Sequence, residues 1–106
     1  MEFIETLFFT ERIRELLDDE EYGALQAALA ANSGLGKLIP GSHGLRKARW
    51  QSRKTTAGKR GGIRVIYYLI FADKILMLFA YAKNRQNDLS GQQLRILKRY
   101  VERETS

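Results

Sequence analysis

The chain has 106 residues, no cysteine and a formal net charge of +6. That is room for one domain with a real core, and it excludes disulfides, thiolate zinc sites and a thiol nucleophile. No apolar run approaches the roughly 20 residues that span a bilayer, and the acidic N-terminus lacks the basic-then-apolar pattern of an export signal, so the expected setting is a reducing cytoplasm away from any membrane.

Taken in chain order, Phe3 to Phe9 is apolar and β-prone and predicts a first strand. Thr10 stands where a helix N-cap belongs, with Glu11 after it and Ile13, Leu16 and Leu17 at helical spacing. Asp18 and Asp19 cap a second helix, whose acidic first turn suits the positive end of the helix dipole. Tyr22, Leu25 and Leu29 form its buried stripe, and Asn32-Ser33-Gly34 ends it. Gly34 to Gly44 contains four glycines and the only proline, which predicts a loop. Leu45 to Trp50 follows as a short strand, and Gln51 to Gly62 as a polar, basic loop. Ile63–Phe71 and Ile75–Tyr81 are the strongest strands, and Ala72-Asp73-Lys74 between them is short enough for a hairpin turn. Ser90 and Gln93 have capping-box spacing. Leu94, Leu97 and Val101, widened by Ile96 and Tyr100, give the closing helix its apolar face. The expected architecture is a single α+β domain over residues 1–106, in the order β-α-α-β-β-β-α, with helices packed on an antiparallel sheet.

Charge is unevenly distributed along this frame. Residues 1–45 hold three Lys/Arg against eight Asp/Glu, residues 46–106 hold fifteen against four, and 46–64 contain eight basic residues and no acid. Such asymmetry marks a polyanion-facing surface, although a merely solvated basic face has the same composition. No His, Cys, Asp or Glu set has metal-ligand spacing, so neither metal nor cofactor is expected. His43, the lone histidine, is read as an incidental loop residue rather than a general base. Gly58-Lys59-Arg60-Gly61-Gly62 lacks the upstream Gly and downstream Ser/Thr of a phosphate loop, which argues against nucleotide hydrolysis.

The remaining chemistry is cationic. Alternation along Arg46-Lys47-Ala48-Arg49-Trp50 puts Ala48 and Trp50 on one face and Lys47 and Arg49 on the other. Arg64 lies among Ile63, Val65 and Ile66, a costly place for a charge unless it is used or paired. Tyr81 and Lys83 share a parity at the exit of the next strand, with Asn84 beside them. Three consecutive strands thus offer Lys47, Arg49, Arg64 and Lys83 to one concave patch. When a ribose 2′-hydroxyl attacks the adjacent phosphorus, charge builds on the phosphoryl oxygens, and fixed cations stabilise it. Clustered cations also depress one another's pKa, which opens a base role to a lysine. Only RNA carries that hydroxyl. The same cations equally suit a nucleic-acid-binding module without catalysis, and the residues alone leave the two readings level. Tyr67 and Tyr68 face opposite ways and are both read as packing. Tyr81 is the better candidate for stacking on a base.

Gly44-Leu45-Arg46-Lys47-Ala48-Arg49-Trp50, Lys59-Arg60-Gly61-Gly62-Ile63-Arg64-Val65-Ile66-Tyr67-Tyr68 and Tyr81-Ala82-Lys83-Asn84 together resemble the RelE superfamily, closest to its HigB-type branch. The resemblance implies a toxin of a type II toxin–antitoxin system that cleaves mRNA in the ribosomal A site. It implies catalytic roles for Lys47, Arg49, Arg64 and Lys83, and RNA contacts from Arg46, Lys59, Arg60, Tyr81 and Asn84. It also implies a cognate antitoxin, often a helix-turn-helix DNA-binding protein. Two positions depart from the family pattern: Asn84 replaces a cation that assists the leaving group, and Ser90 stands where a catalytic tyrosine is placed. The acidic first part is expected to face away from RNA. The alternative within the same fold is a ParE-like toxin acting on DNA gyrase, for which the basic residues are ornamental.

Overall fold

In the computed structural model, which describes residues 1–54 and 61–105, the chain is a five-stranded sheet with helices on both faces. The elements are β1 (Glu2–Glu5), α1 (Leu7–Leu16), α2 (Asp19–Ala31), β2 (Lys37–Leu38), β3 (Leu45–Trp50), β4 (Ile63–Phe71), β5 (Lys74–Ala82) and α3 (Gly91–Thr105). Sheet order is β1-β5-β4-β3-β2, antiparallel except that β1 runs parallel to β5. This is the expected α+β domain, with one addition: a two-residue strand, β2, lies inside the stretch read as a loop. No described helix is long and apolar enough to cross a membrane.

β4 is central, and its near-continuous apolar run is what burial on both faces requires. Ile63, Val65 and Tyr67 join Phe9, Ile13, Leu16, Leu17, Leu25 and Leu29 in the core beneath α1 and α2. Ile66 joins Leu45, Leu76, Leu78, Leu97 and Val101 beneath α3. Of the residues expected on the apolar face of α3, Ile96 stays 54% exposed.

The first helix starts four residues earlier than Thr10. Its N-cap is Thr6, whose Oγ1 accepts from Phe9 N at 3.0 Å and donates to Leu78 O at 2.9 Å. The register of β4 on β5 passes from Ile66↔Phe79 to Tyr67↔Met77, so Leu78 is the extra residue of a bulge. Thr6 therefore satisfies an orphan helix donor and a bulge carbonyl together, which fixes the end of β1. The other caps fall where expected. Asp18 and Glu21 form a capping box at α2, and Ser90 and Gln93 exchange side-chain-to-backbone bonds of 3.0 Å each at α3.

Tyr67 is fully buried, and Tyr68 packs half-buried under α3. Tyr67 Oη donates to Ser33 O at 2.7 Å and accepts from Gly36 N at 2.8 Å, tying the segment after α2 to the central strand. Tyr67→Phe is expected to cost about 2 kcal/mol, because the buried Gly36 N–H and the part-buried Ser33 carbonyl lose their partner. Thermal unfolding should then shift down by roughly 10 °C; an unchanged melting temperature would mean that the bond is dispensable.

Candidate phosphate-binding site

The antiparallel register decides which cations meet. Across β3, β4 and β5, Arg49 pairs with Arg64 and Arg64 with Tyr81, so the three form one row. The next row on the same face is Lys47–Ile66–Phe79. Trp50 packs against the opposite core together with Ala48, which leaves Lys47 and Arg49 on the face that carries α3.

Arg64 is 5% exposed. Its Nη1 donates to the carbonyls of Gly61 and Ile63. Among the described residues it has no carboxylate within ion-pairing distance. Burial holds its pKa below the ordinary guanidinium value, and the charge of Arg49 opposite adds to this. Like charges directly across a sheet repel, and a buried guanidinium with only carbonyl acceptors is costly. The fold nevertheless holds both cations in place.

Lys83 enters from the end of β5. Its backbone N donates to Gly62 O at 3.0 Å. A Cβ built on Gly61 would stand 2.9 Å from Lys83 Cγ and 3.8 Å from Arg64 Nη2, so a glycine at 61 lets both side chains pass. All four cations named from the sequence thus reach one end of the β3-β4-β5 face.

Asp88 was not singled out in the sequence, and it sits among these cations. Its Oδ1 lies 3.1 Å from Lys47 Nζ and accepts from Leu89 N at 2.8 Å. That backbone bond, then Lys47, and more weakly Lys83, hold its pKa below the usual carboxylate value. The loop that carries it is braced by Lys83 Nζ on Asn87 O, and by Gln86 Nε2 on Asp88 O (2.9 Å) and on Gln93 Oε1 (2.7 Å). Its one advance signal was composition: between Asp73 and Glu102 it is the only acid in a basic stretch.

Not all of the other expected contacts join this cluster in the way expected. Arg46 has the opposite parity to Lys47, pairs with Tyr67, and donates from Nη1 to Gly36 O at 2.7 Å, so it braces the loop before β2 instead of joining the cluster. Tyr81 is 3% exposed and packs against Phe79 with ring centroids 6.0 Å apart, so it offers no free face for base stacking. Asn84 is exposed and lines a cleft together with Tyr81, Arg12, Lys54 and Gln86. Lys59 and Arg60 lie outside the described residues. His43 is exposed in the loop before β3, at φ 60°.

The acidic first part does not simply face away. Arg53 pairs with Asp18 at 2.9 Å, Glu21 at 3.6 Å and Glu20 at 3.9 Å. Glu20 and Glu21 share an open cleft of about 620 Å³ with Arg49, Arg53 and Gly61. Acids from α2 thus neutralise part of the basic loop and border the cluster at Arg49. Among the described residues no three His, Cys, Asp or Glu side chains gather as a metal site. No protein-family model matches the chain.

Proposed function

We propose that this chain is the cytoplasmic toxin of a type II toxin–antitoxin system, a RelE/HigB-type endoribonuclease that cuts mRNA in the ribosomal A site and is neutralised by a cognate antitoxin. The observation that carries the reading is Arg64, a nearly buried guanidinium with no carboxylate within ion-pairing distance among the described residues, facing Arg49 across the sheet and flanked by Lys83. Natural folds keep such unfavourable arrangements mainly where they serve a ligand.

A phosphodiester suits the cluster. In the proposed reaction the ribose 2′ oxygen bonds to phosphorus and the bond from phosphorus to the 5′ oxygen breaks. The 2′ proton leaves to solvent water while the charges of Lys47 and Arg49 favour the alkoxide, and the Lys83 ammonium donates a proton to the leaving 5′ oxygen and regains one from water. Arg64 holds the non-bridging oxygens, where preorganised donors act most strongly on developing charge. The products are a 2′,3′-cyclic phosphate and a 5′-hydroxyl.

Primer extension on a reporter mRNA, translated with and without the protein, tests this directly. Cuts are expected only when ribosomes are active. Inhibited DNA supercoiling without cuts would instead favour the gyrase-directed alternative, and salt-dependent binding without cuts a non-catalytic module.

A further inference from the structure

Among the described residues, one buried side-chain polar atom makes no hydrogen bond: Tyr81 Oη. Its residue is 3% exposed and lies directly beside Arg64 in the row that runs through the cationic cluster. Buried hydroxyls are nearly always paired, and an orphan is destabilising unless something else will occupy the position. The Asp88 carboxylate acts on this phenol through its charge and as a nearby acceptor, but hydrogen-bonding geometry is not reached. Asp88 is the same group that neutralises Lys47 at 3.1 Å. It stands 64% exposed on a loop, whereas Arg64 and Tyr81 are fixed in the sheet.

We propose that Asp88 occupies the seat of an RNA phosphate in the free protein, and that Tyr81 Oη donates a hydrogen bond to a non-bridging phosphoryl oxygen once that phosphate displaces the carboxylate. The exchange replaces one singly charged oxyanion with another, so Lys47 keeps a counter-charge, and Arg64, on which Asp88 already acts without touching it, gains one in direct contact. Tyr81 gains an acceptor it lacks. Burial, with Asp88 adding to it, pushes the phenol's pKa up to about 12, so the hydroxyl keeps its proton and remains a donor. Tyr81 is then a substrate-contacting residue through its hydroxyl and not its ring. The cleavage arm of this inference rests on the nuclease reading above; the binding arm does not.

Tyr81→Phe removes only the orphan oxygen. The variant is expected to melt a few degrees above wild type, because an unsatisfied buried group is gone. It should also cleave mRNA roughly tenfold more slowly or worse in single turnover. A dinucleotide carrying a 2′-deoxy sugar at the scissile position serves as a probe that cannot be cut. Tyr81→Phe should bind it several-fold more weakly, and Asp88→Asn about tenfold more tightly, than wild type. A lower melting temperature for Tyr81→Phe would reveal that the hydroxyl is already paired, and would overturn the proposal. So would wild-type affinity of Tyr81→Phe for the probe, or an Asp88→Asn variant that binds no better than wild type. If wild type makes no cuts at all, the nuclease reading fails, and the probe titration still decides the phosphate seat. If wild type cuts and Tyr81→Phe cuts and binds equally well, the seat fails and the nuclease stands.

Discussion

Arg64→Ala is expected to lower ribosome-dependent mRNA cleavage by roughly 10²- to 10³-fold while the protein stays folded. The magnitude is that of losing one preorganised donor aimed at the charge that develops on a reacting group. Stability should change little, because two opposing terms nearly cancel. Truncation leaves space beneath α3, which is unfavourable, but it also removes a buried charge whose acceptors are backbone carbonyls and whose neighbour across the sheet is Arg49. Eliminating an unpaired buried cation and the repulsion it suffers offsets the lost packing to within about 2 kcal/mol. Arg64→Lys separates charge from shape. An ammonium keeps the positive charge but cannot present two parallel N–H groups to a phosphate, so intermediate activity is expected. Primer extension reads the cleavage, and circular dichroism together with antitoxin binding reads the fold. Wild-type cleavage by the alanine variant would show that the scissile phosphate does not sit at Arg64.

The contrast between Lys47 and Arg46 marks what the sequence could disclose. Strand alternation places Lys47 and Arg49 on one face, and the observed register agrees residue by residue. The same alternation sends Arg46 to the other face, although its neighbours in the chain suggest a common role. Contacts between distant segments were less legible. Thr6 and Thr10 are both acceptable caps locally, and the choice between them is made by the carbonyl of Leu78, 72 residues away in sequence. The parallel pairing of β1 with β5 is equally non-local, and β2 is too short to have a periodicity. Asp88 lies in a segment without pattern, so its position among Lys47, Lys83 and Arg64 comes only from folding. Burial of Tyr81 was missed because a strand end beside a lysine reads as exposed, whereas Leu89 and α3 cover that end of the sheet.

Gly62→Ala should be the most damaging of the small substitutions for stability, and its cause lies in the backbone. Gly62 adopts φ +54°, and a Cβ there would stand 2.3 Å from Trp50 O and 3.2 Å from Gln51 Cα. The left-handed conformation alone costs an L-residue about 1–2 kcal/mol. The contact with Trp50 O cannot be relieved by turning a side chain, since both partners are main chain. Either β3 and β4 separate at the Trp50↔Ile63 pair, or Gly62 abandons its conformation and releases Lys83 N from its carbonyl. Both routes move Arg64 and Lys83 apart, so activity should fall together with stability. A total loss of roughly 3 kcal/mol or more is expected, equivalent to a fall in melting temperature of about 12 °C or more. Gly23→Ala is the matched control. Gly23 lies within α2, and a Cβ there meets nothing within 4 Å, so the same chemical change should stabilise the helix by up to about 1 kcal/mol. Opposite shifts for the two alanines, read in one thermal unfolding experiment, would follow from the backbone of each site. If Gly62→Ala melts with the wild type, the entry to β4 is not held by this close approach, and the placing of Arg64 must have another cause.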